Sequence, residues 1–153
     1  MAGEKEFAVI EGAISVKAVL ECGTREMNAV YISNAKQSRD TGYILALARE
    51  KEISAEIVPP EFFSVRNLGK SHGGIIAEVG SRIYEQPDTL LDEKNPFIVL
   101  LEGIEDPFNF GCAVRSLYAA GATGLVLPER NWMSAAGTVI KASAGASERI
   151  RCV

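Results

Sequence analysis

The chain has 153 residues, 47% of them hydrophobic and 24% charged, with 16 Lys and Arg against 20 Asp and Glu for a formal charge of −4. This is the composition of an ordinary globular chain with room for one domain or two small ones, and no stretch approaches the roughly 18 uninterrupted apolar residues of a membrane-spanning helix. The acidic balance argues against broad non-specific adhesion to nucleic acid but leaves room for a local basic face.

From position 9 to 23 the apolar residues Ile14, Ala18 and Val19 recur at helical spacing, and Gly23 is placed to end the helix. Residues 28–33 read as a strand. Ser38 or Asp40 can cap a second helix whose Ile44, Leu45, Leu47 and Ala48 face inward. Residues 55–58 are the next strand, Pro59 and Pro60 interrupt it, and Pro60 can open a short helix through Leu68 before strand character returns at 75–79. The result is a small alternating α/β unit. Residues 80–95 have mixed polarity and carry Pro87, Asp88, Asp92 and Glu93, as an inter-domain connection does. The expected organisation is therefore one domain at 5–80, a linker at 81–95 and a second domain at 96–153.

Residues 97–101, Phe-Ile-Val-Leu-Leu, form a short apolar run expected of a strand covered on both faces. Pro107 bars helix for Asp106, Asn109 can cap a helix running to about Ala120, and Gly121 supplies its stop. Residues 124–127 read as a second buried strand, so the unit is a parallel strand–helix–strand crossover. Ligands of such sheets bind at the carboxyl ends of the strands, where the 102–109 loop lies. Residues 141–148, Lys-Ala-Ser-Ala-Gly-Ala-Ser-Glu, span the end of another helix, and 149–153 have strand character with no finishing element. A sheet of two or three strands leaves apolar edges uncovered, so the second domain is expected to be incomplete.

Several residues carry two readings each. Asn109 and Arg115 lie six positions apart, about 9 Å along a helix. The long Arg115 side chain can return to the helix mouth and hold an anion there, with Gly111 allowing close approach of a ligand; alternatively Asn109 only caps, and Arg115 pairs with Glu102, Glu105 or Asp106. His72, the single histidine, either shapes a turn or joins Arg66 and Lys70 in touching a phosphate group; it has no serine elbow to serve as a triad partner. Phe62 and Phe63 are either core or a base-stacking platform. Cys22, Cys112 and Cys152 are odd in number and without metal-ligand spacing, so neither disulfide nor metal site is expected. Cys112 alone sits near an expected helix N-terminus, where a thiolate is stabilised; packing is its other role. The start of the chain lacks a basic end followed by an apolar signal region, and a cytoplasmic location is expected.

The run 106–116, Asp-Pro-Phe-Asn-Phe-Gly-Cys-Ala-Val-Arg-Ser, followed by 118–124, Tyr-Ala-Ala-Gly-Ala-Thr-Gly, resembles the first motif of the SpoU, or TrmH-type, RNA 2′-O-ribose methyltransferases of the SPOUT superfamily. Residues 141–148 resemble the next characteristic run of that family, in the expected order. Residues 9–79, including the His72-Gly-Gly turn, resemble its amino-terminal substrate-binding domain, whose fold is shared with small ribosomal RNA-binding proteins. The resemblance implies an α/β protein in which an RNA-binding unit precedes the first part of a trefoil-knot methyltransferase domain. It also implies S-adenosylmethionine as cofactor, rRNA or tRNA as partner, and a homodimer in the complete form. The glycine-and-glutamate and Ser-Leu-Asn motifs of the knot are not in this sequence, so the resemblance supplies no cofactor-contacting residue, and the chain as written is expected to be inactive. It carries over Asn109, Arg115 and Glu148 as catalytic positions. In that reading Asn109 fixes the motif loop, Arg115 clamps RNA phosphate and helps to activate the 2′-hydroxyl, and Glu148 orients Arg115 or a neighbouring backbone group. The other reading of Glu148 is a solvated carboxylate at a helix end. A non-catalytic RNA-binding module is the alternative for the whole chain.

Overall fold

The computed structural model describes residues 6–36, 38–66, 70–130 and 132–153, with the side chain of Lys70 outside the description. Two sheets carry the fold. The first takes strands in the order β1 (Ala8–Glu11), β4 (Ile75–Arg82), β2 (Arg25–Ser33), β3 (Ser54–Val58). Its β1–β4 and β4–β2 pairs are antiparallel and its β2–β3 pair is parallel. The second sheet, β5 (Ile98–Leu100), β6 (Gly124–Val126) and β7 (Arg151–Cys152), is parallel throughout.

Helices α1 (Ala13–Cys22) and α2 (Arg39–Glu50) lie on one face of the first sheet and bury Val16, Val19, Leu20, Ile44 and Ala48 against Ile10, Val30, Ile32, Ile75 and Val79. Ser38 caps α2 in a reciprocal box with Thr41: each side chain accepts the other residue's backbone N–H. Gly23 ends α1 in the left-handed conformation, where its N–H returns to Val19 O. On the opposite sheet face, the short α3 (Glu61–Val65) seats Phe63 against Val58 and Ile76.

Three local expectations are corrected. Residues 8–11 are a strand rather than the start of a helix, because Val9 and Ile10 pair with Glu78 and Ala77 and Gly12, at φ 87°, turns the chain before α1 begins. The 97–101 run is not covered on both faces: β5 is an edge strand, and Leu100 is 67% exposed. Strand character at 75–79 continues to Arg82, since β4 keeps pairing with β2 as far as Arg25.

Two further helices, α4 (Pro107–Ala119) and α5 (Ala136–Ala142), pack on the second sheet through Phe110, Val114 and Val139, with Leu125, Ile150 and Cys152 beneath them. The halves of the chain share a core. Ile140 of α5 is fully buried in the first cluster, beside Ile10 and Val16. A Cβ on Gly137 would stand 2.9 Å from Val9 O, so α5 lies directly on the β1 backbone. The turn at 87–91 is likewise packed, with Leu90 against Gly124.

Gly111 has a different job from admitting a ligand. A Cβ there would stand 2.7 Å from Ala142 Cβ and 2.8 Å from Val139 O, so this glycine lets α4 and α5 touch. Overpacking costs about 1–3 kcal/mol and is worst against backbone, which outweighs the roughly 1 kcal/mol by which a helix prefers Ala to Gly. Gly111→Ala is therefore expected to lower the urea unfolding midpoint without changing the slope; an unchanged or higher midpoint would show slack between the helices.

Candidate functional site

The motif helix α4 is capped by Asp106, not by Asn109. Asp106 Oδ1 accepts the Asn109 N–H at 2.7 Å and Pro107 takes the first helical position, where its missing N–H costs nothing. Asn109 is thus the third residue of the helix, with its side chain exposed. Arg115 is exposed too, and among the described residues it pairs with none of Glu102, Glu105 and Asp106. Six residues at about 100° each separate Asn109 from Arg115 by about 240° around the axis, so the helix does not bring the two together. Cys112 is half-buried between them, and its carbonyl accepts the Ser116 hydroxyl at 3.0 Å.

Glu148 lies elsewhere. It stands in α6 (Ala146–Arg149), a short turn that follows left-handed Ala144 and Gly145, and only 2% of its surface is exposed. Its carboxylate faces the first sheet. Arg25 donates to it from Nε at 3.1 Å and Nη2 at 3.3 Å, Thr24 donates its hydroxyl at 2.5 Å, and Arg82 Nη1 stands 3.3 Å away. The solvated reading of this residue and its orientation of Arg115 are corrected, because Glu148 is buried and two buried guanidiniums take its charge.

Arg25 and Arg82 are register partners across β2 and β4, an arrangement of like charges that is unfavourable without an intervening anion. Arg25 Nη1 also reaches Gly80 O at 3.2 Å, and Arg82 donates to Ser147 O and to Ile150 O. Local sequence reading missed both arginines. The available signal was a cation at the start of β2 and another at the end of β4.

Burial pushes the Glu148 carboxyl up, but the attraction of Arg25 and Arg82, with hydrogen bonds from Thr24 and Arg25, outweighs it and holds the group below the usual carboxylate value of 4.5. Beside this cluster opens a cleft of about 500 Å³ at the end of β6, lined by Arg25, Arg82, Tyr84, Glu129, Arg130 and Trp132 among others. Trp132 is sandwiched between Phe110, 4.9 Å away and nearly parallel, and the Arg130 guanidinium at 4.5 Å.

In the first half, Arg66 and His72 converge on one aromatic cluster. The Arg66 guanidinium lies 3.7 Å from the Phe62 ring centroid and 5.4 Å from that of Tyr31, while His72 stacks on Phe63 at 4.6 Å. His72 Nδ1 accepts the Gly74 N–H at 2.9 Å, which fixes the turn before β4. His72 therefore shapes the turn. Arg66 keeps an exposed head, and the side chain of Lys70 lies outside the described residues. Phe63 is core, and Phe62 is half-buried beneath Arg66.

Both halves of the chain match known families. Residues 9–84 match the model for RNA 2′-O ribose methyltransferase substrate binding, and residues 96–153 match the SpoU rRNA methylase family. The chain is 32% identical over 144 residues to the putative TrmH family tRNA/rRNA methyltransferase YacO of Bacillus subtilis, covering 90% of this chain and 57% of that protein. It is 26% identical over 146 residues to the 23S rRNA (guanosine-2′-O-)-methyltransferase RlmB of Escherichia coli, covering 93% of this chain and 60% of that one. The SpoU methyltransferase AviRb of Streptomyces viridochromogenes, solved in complex with the cofactor AdoMet, shares the fold at a TM-score of 0.71 and 18% identity, over 96% of this chain and 54% of that one. The chain belongs to the SpoU, TrmH-type, family and carries an amino-terminal substrate-binding domain. It spans 57 to 60% of the length of the curated relatives named here.

The described residues do not by themselves fit a sulfonium cofactor. Both faces of Trp132 in the cleft at the end of β6 are already covered, and the three guanidiniums of the cleft are offset by Glu6 and Glu129 in its wall and by Glu148 against Arg25 and Arg82. Among the described residues no helix is long and apolar enough to cross a membrane, and no group of three His, Cys, Asp or Glu could hold a metal ion.

Because the folded Glu148 carboxyl titrates below its unfolded value, its contribution to stability is fully present above about pH 4.5 and lost as pH falls through the lower folded value. Glu148→Gln leaves two buried guanidiniums facing each other and is expected to cost about 3–5 kcal/mol at pH 7, the usual penalty for breaking a buried pair. Its denaturation curves should also depend less on pH below 4.5 than the parent's. A variant with the parent's stability at pH 7 would show that solvent, not Glu148, screens the two arginines.

Proposed function

We propose that this chain serves S-adenosylmethionine-dependent 2′-O-ribose methylation of rRNA or tRNA. The observation that carries the proposal is the ordered pair of family matches, substrate binding at 9–84 and methylase at 96–153. It supports a division into an RNA-binding unit at 5–80, a connection at 81–95 and a methyltransferase unit from 96. Transfer of a sulfonium methyl group to a ribose hydroxyl needs in-line placement and removal of a weakly acidic proton. Arg115, exposed on the motif helix and free of acidic partners among the described residues, would clamp an RNA phosphate beside the reacting ribose. A guanidinium with pKa above about 12 is a poor free base, so its part is to bind and orient. Asn109, exposed one turn from the Asp106 cap, would hold the motif loop. Glu148 would act at one remove, by neutralising Arg25 and Arg82 and so fixing the second sheet against the first. Arg66, Lys70 and His72 would form the basic edge of the RNA-binding unit. A cytoplasmic homodimer is the expected setting.

A second reading, an RNA-binding module without catalysis, is favoured by the poor match between the β6 cleft and a sulfonium. Calorimetric titration of the 153-residue chain with S-adenosylmethionine separates the two. Weak or no binding is expected of this chain, and saturable micromolar binding would show that its own residues build the donor pocket. Where methyl transfer is measured, on this chain or any longer native form, Arg115→Ala should abolish incorporation of tritiated methyl into RNA while leaving the fold intact. Arg115→Lys should rescue little, because an ammonium lacks the planar two-pronged donor geometry. Near-normal turnover with Lys would mean that charge alone is needed.

A further inference from the structure

We propose that the cleft at the end of β6 takes one unstacked base of bound RNA by its lactam edge, the ring N–H beside a carbonyl that guanine and uracil share; this rests on the RNA reading above and adds a location to it. The cleft, of about 500 Å³, is walled by Arg25, Arg82 and Tyr84 from the first unit and by Glu129, Arg130 and Trp132 from the second. A base seated there touches both units at once.

The charge balance selects the ligand. Glu148 takes up Arg25 and Arg82, while Glu6 and Glu129 lie in the wall with Arg130, so cations and carboxylates offset one another. Neither a phosphate nor a cation meets an uncompensated field there, whereas a neutral planar group needs none. Tyr84 offers that group a surface. Its side chain is 43% exposed and, among the described residues, its ring stacks on no other ring, with the Arg82 guanidinium 6.0 Å from its centroid. Unstacked bases of RNA lie on such rings whatever their sequence.

The polar groups suit the lactam edge. Glu129 and Arg130 are exposed neighbours in the wall, so an acceptor and a donor stand side by side, and Glu129 is in no ion pair among the described residues. Arg130 engages Ile104 O through Nη1 at 3.3 Å and keeps its other donors. A carboxylate accepts the ring N–H of guanine or uracil while a guanidinium donates to the carbonyl beside it; adenine and cytosine carry no hydrogen on that ring nitrogen and do not fit. Arg82 supplies an independent sign. Its side chain is 8% exposed, its Nη atoms go to Glu148, Ser147 O and Ile150 O, and its Nε is a buried nitrogen without a partner among the described residues. Buried N–H groups rarely lack an acceptor, and both bases have a second acceptor to bring to this wall.

Trp132 is the single tryptophan of the chain and lies in the wall, so its emission reports on the cleft. The test titrates the whole chain with RNA hairpins that differ at one loop position, which carries guanine, uracil, adenine or no base, and follows both Trp132 emission and the anisotropy of the labelled hairpin. Guanine and uracil should change the emission and bind about 3- to 10-fold more tightly than adenine, the worth of one hydrogen bond, with the abasic loop weaker still. Tyr84→Ala should weaken the guanine hairpin about 5- to 100-fold, and Tyr84→Phe, which keeps the ring, by less than about twofold. Glu129→Ala, at an exposed residue, should keep the fold and erase the preference over adenine. If all four hairpins bind equally with the emission unmoved and Tyr84→Ala equal to the parent, the cleft is overturned while the RNA reading stands. If free guanosine changes the emission and no hairpin binds, the cleft takes free nucleosides only, and the RNA form of the proposal falls together with the reading it rests on. If neither binds, both fall.

Discussion

The arrangement of this molecule depends on one buried carboxylate. Glu148 sits against Arg25 and Arg82, which the first sheet places opposite each other on neighbouring strands. Two buried guanidiniums in register repel, and the desolvation of all three groups is expensive. The cluster therefore persists only with every member present, and that requires α6 to dock on the ends of β2 and β4. Ile140 and Gly137 of α5 add the apolar part of the same contact, through the first core and the β1 backbone. Buried ion pairs are poor sources of net stability compared with apolar packing, but they are strict about partners. Here the strictness fixes which end of the second unit meets which end of the first.

This constraint separates two roles that the motif residues were expected to share. Glu148 is committed to joining the two units. Arg115, on a helix whose inner face is Phe110, Gly111 and Val114, is left to solvent. The motif helix is itself held by close contact with α5 at Gly111, so the exposed face of α4 inherits its position from packing on the other side.

Local chemistry was legible in the sequence wherever it was decided within a few residues. Ser38 caps and Gly23 terminates because the hydrogen bonds that reward them lie one turn away. Asp106 could have been read the same way, since Asp before a proline at the first helical position is a start signal; Asn109 drew attention because it belongs to the motif. The start of β1 was not legible, because four residues paired to a strand about seventy positions later have no local mark that separates them from the helical pattern after Gly12. Nor was the partnership of Glu148, whose arginines stand 123 and 66 positions earlier. Such a contact exists only once both sheets are formed. The family motifs marked out α4 and the 141–148 run, whereas the physical job of each motif residue had to be read from its neighbours.

The central claim is that Glu148 makes the two units one cooperative body. Native-state hydrogen exchange tests it most directly, by comparing the most protected amides of β4 with those of β6 in the parent and in Glu148→Gln. In the parent both sheets should open with the same free energy, and in the variant β6 should open well before β4. If β6 already exchanges at a much lower free energy in the parent, or if the variant keeps one shared value, the buried carboxylate is not what holds the halves together.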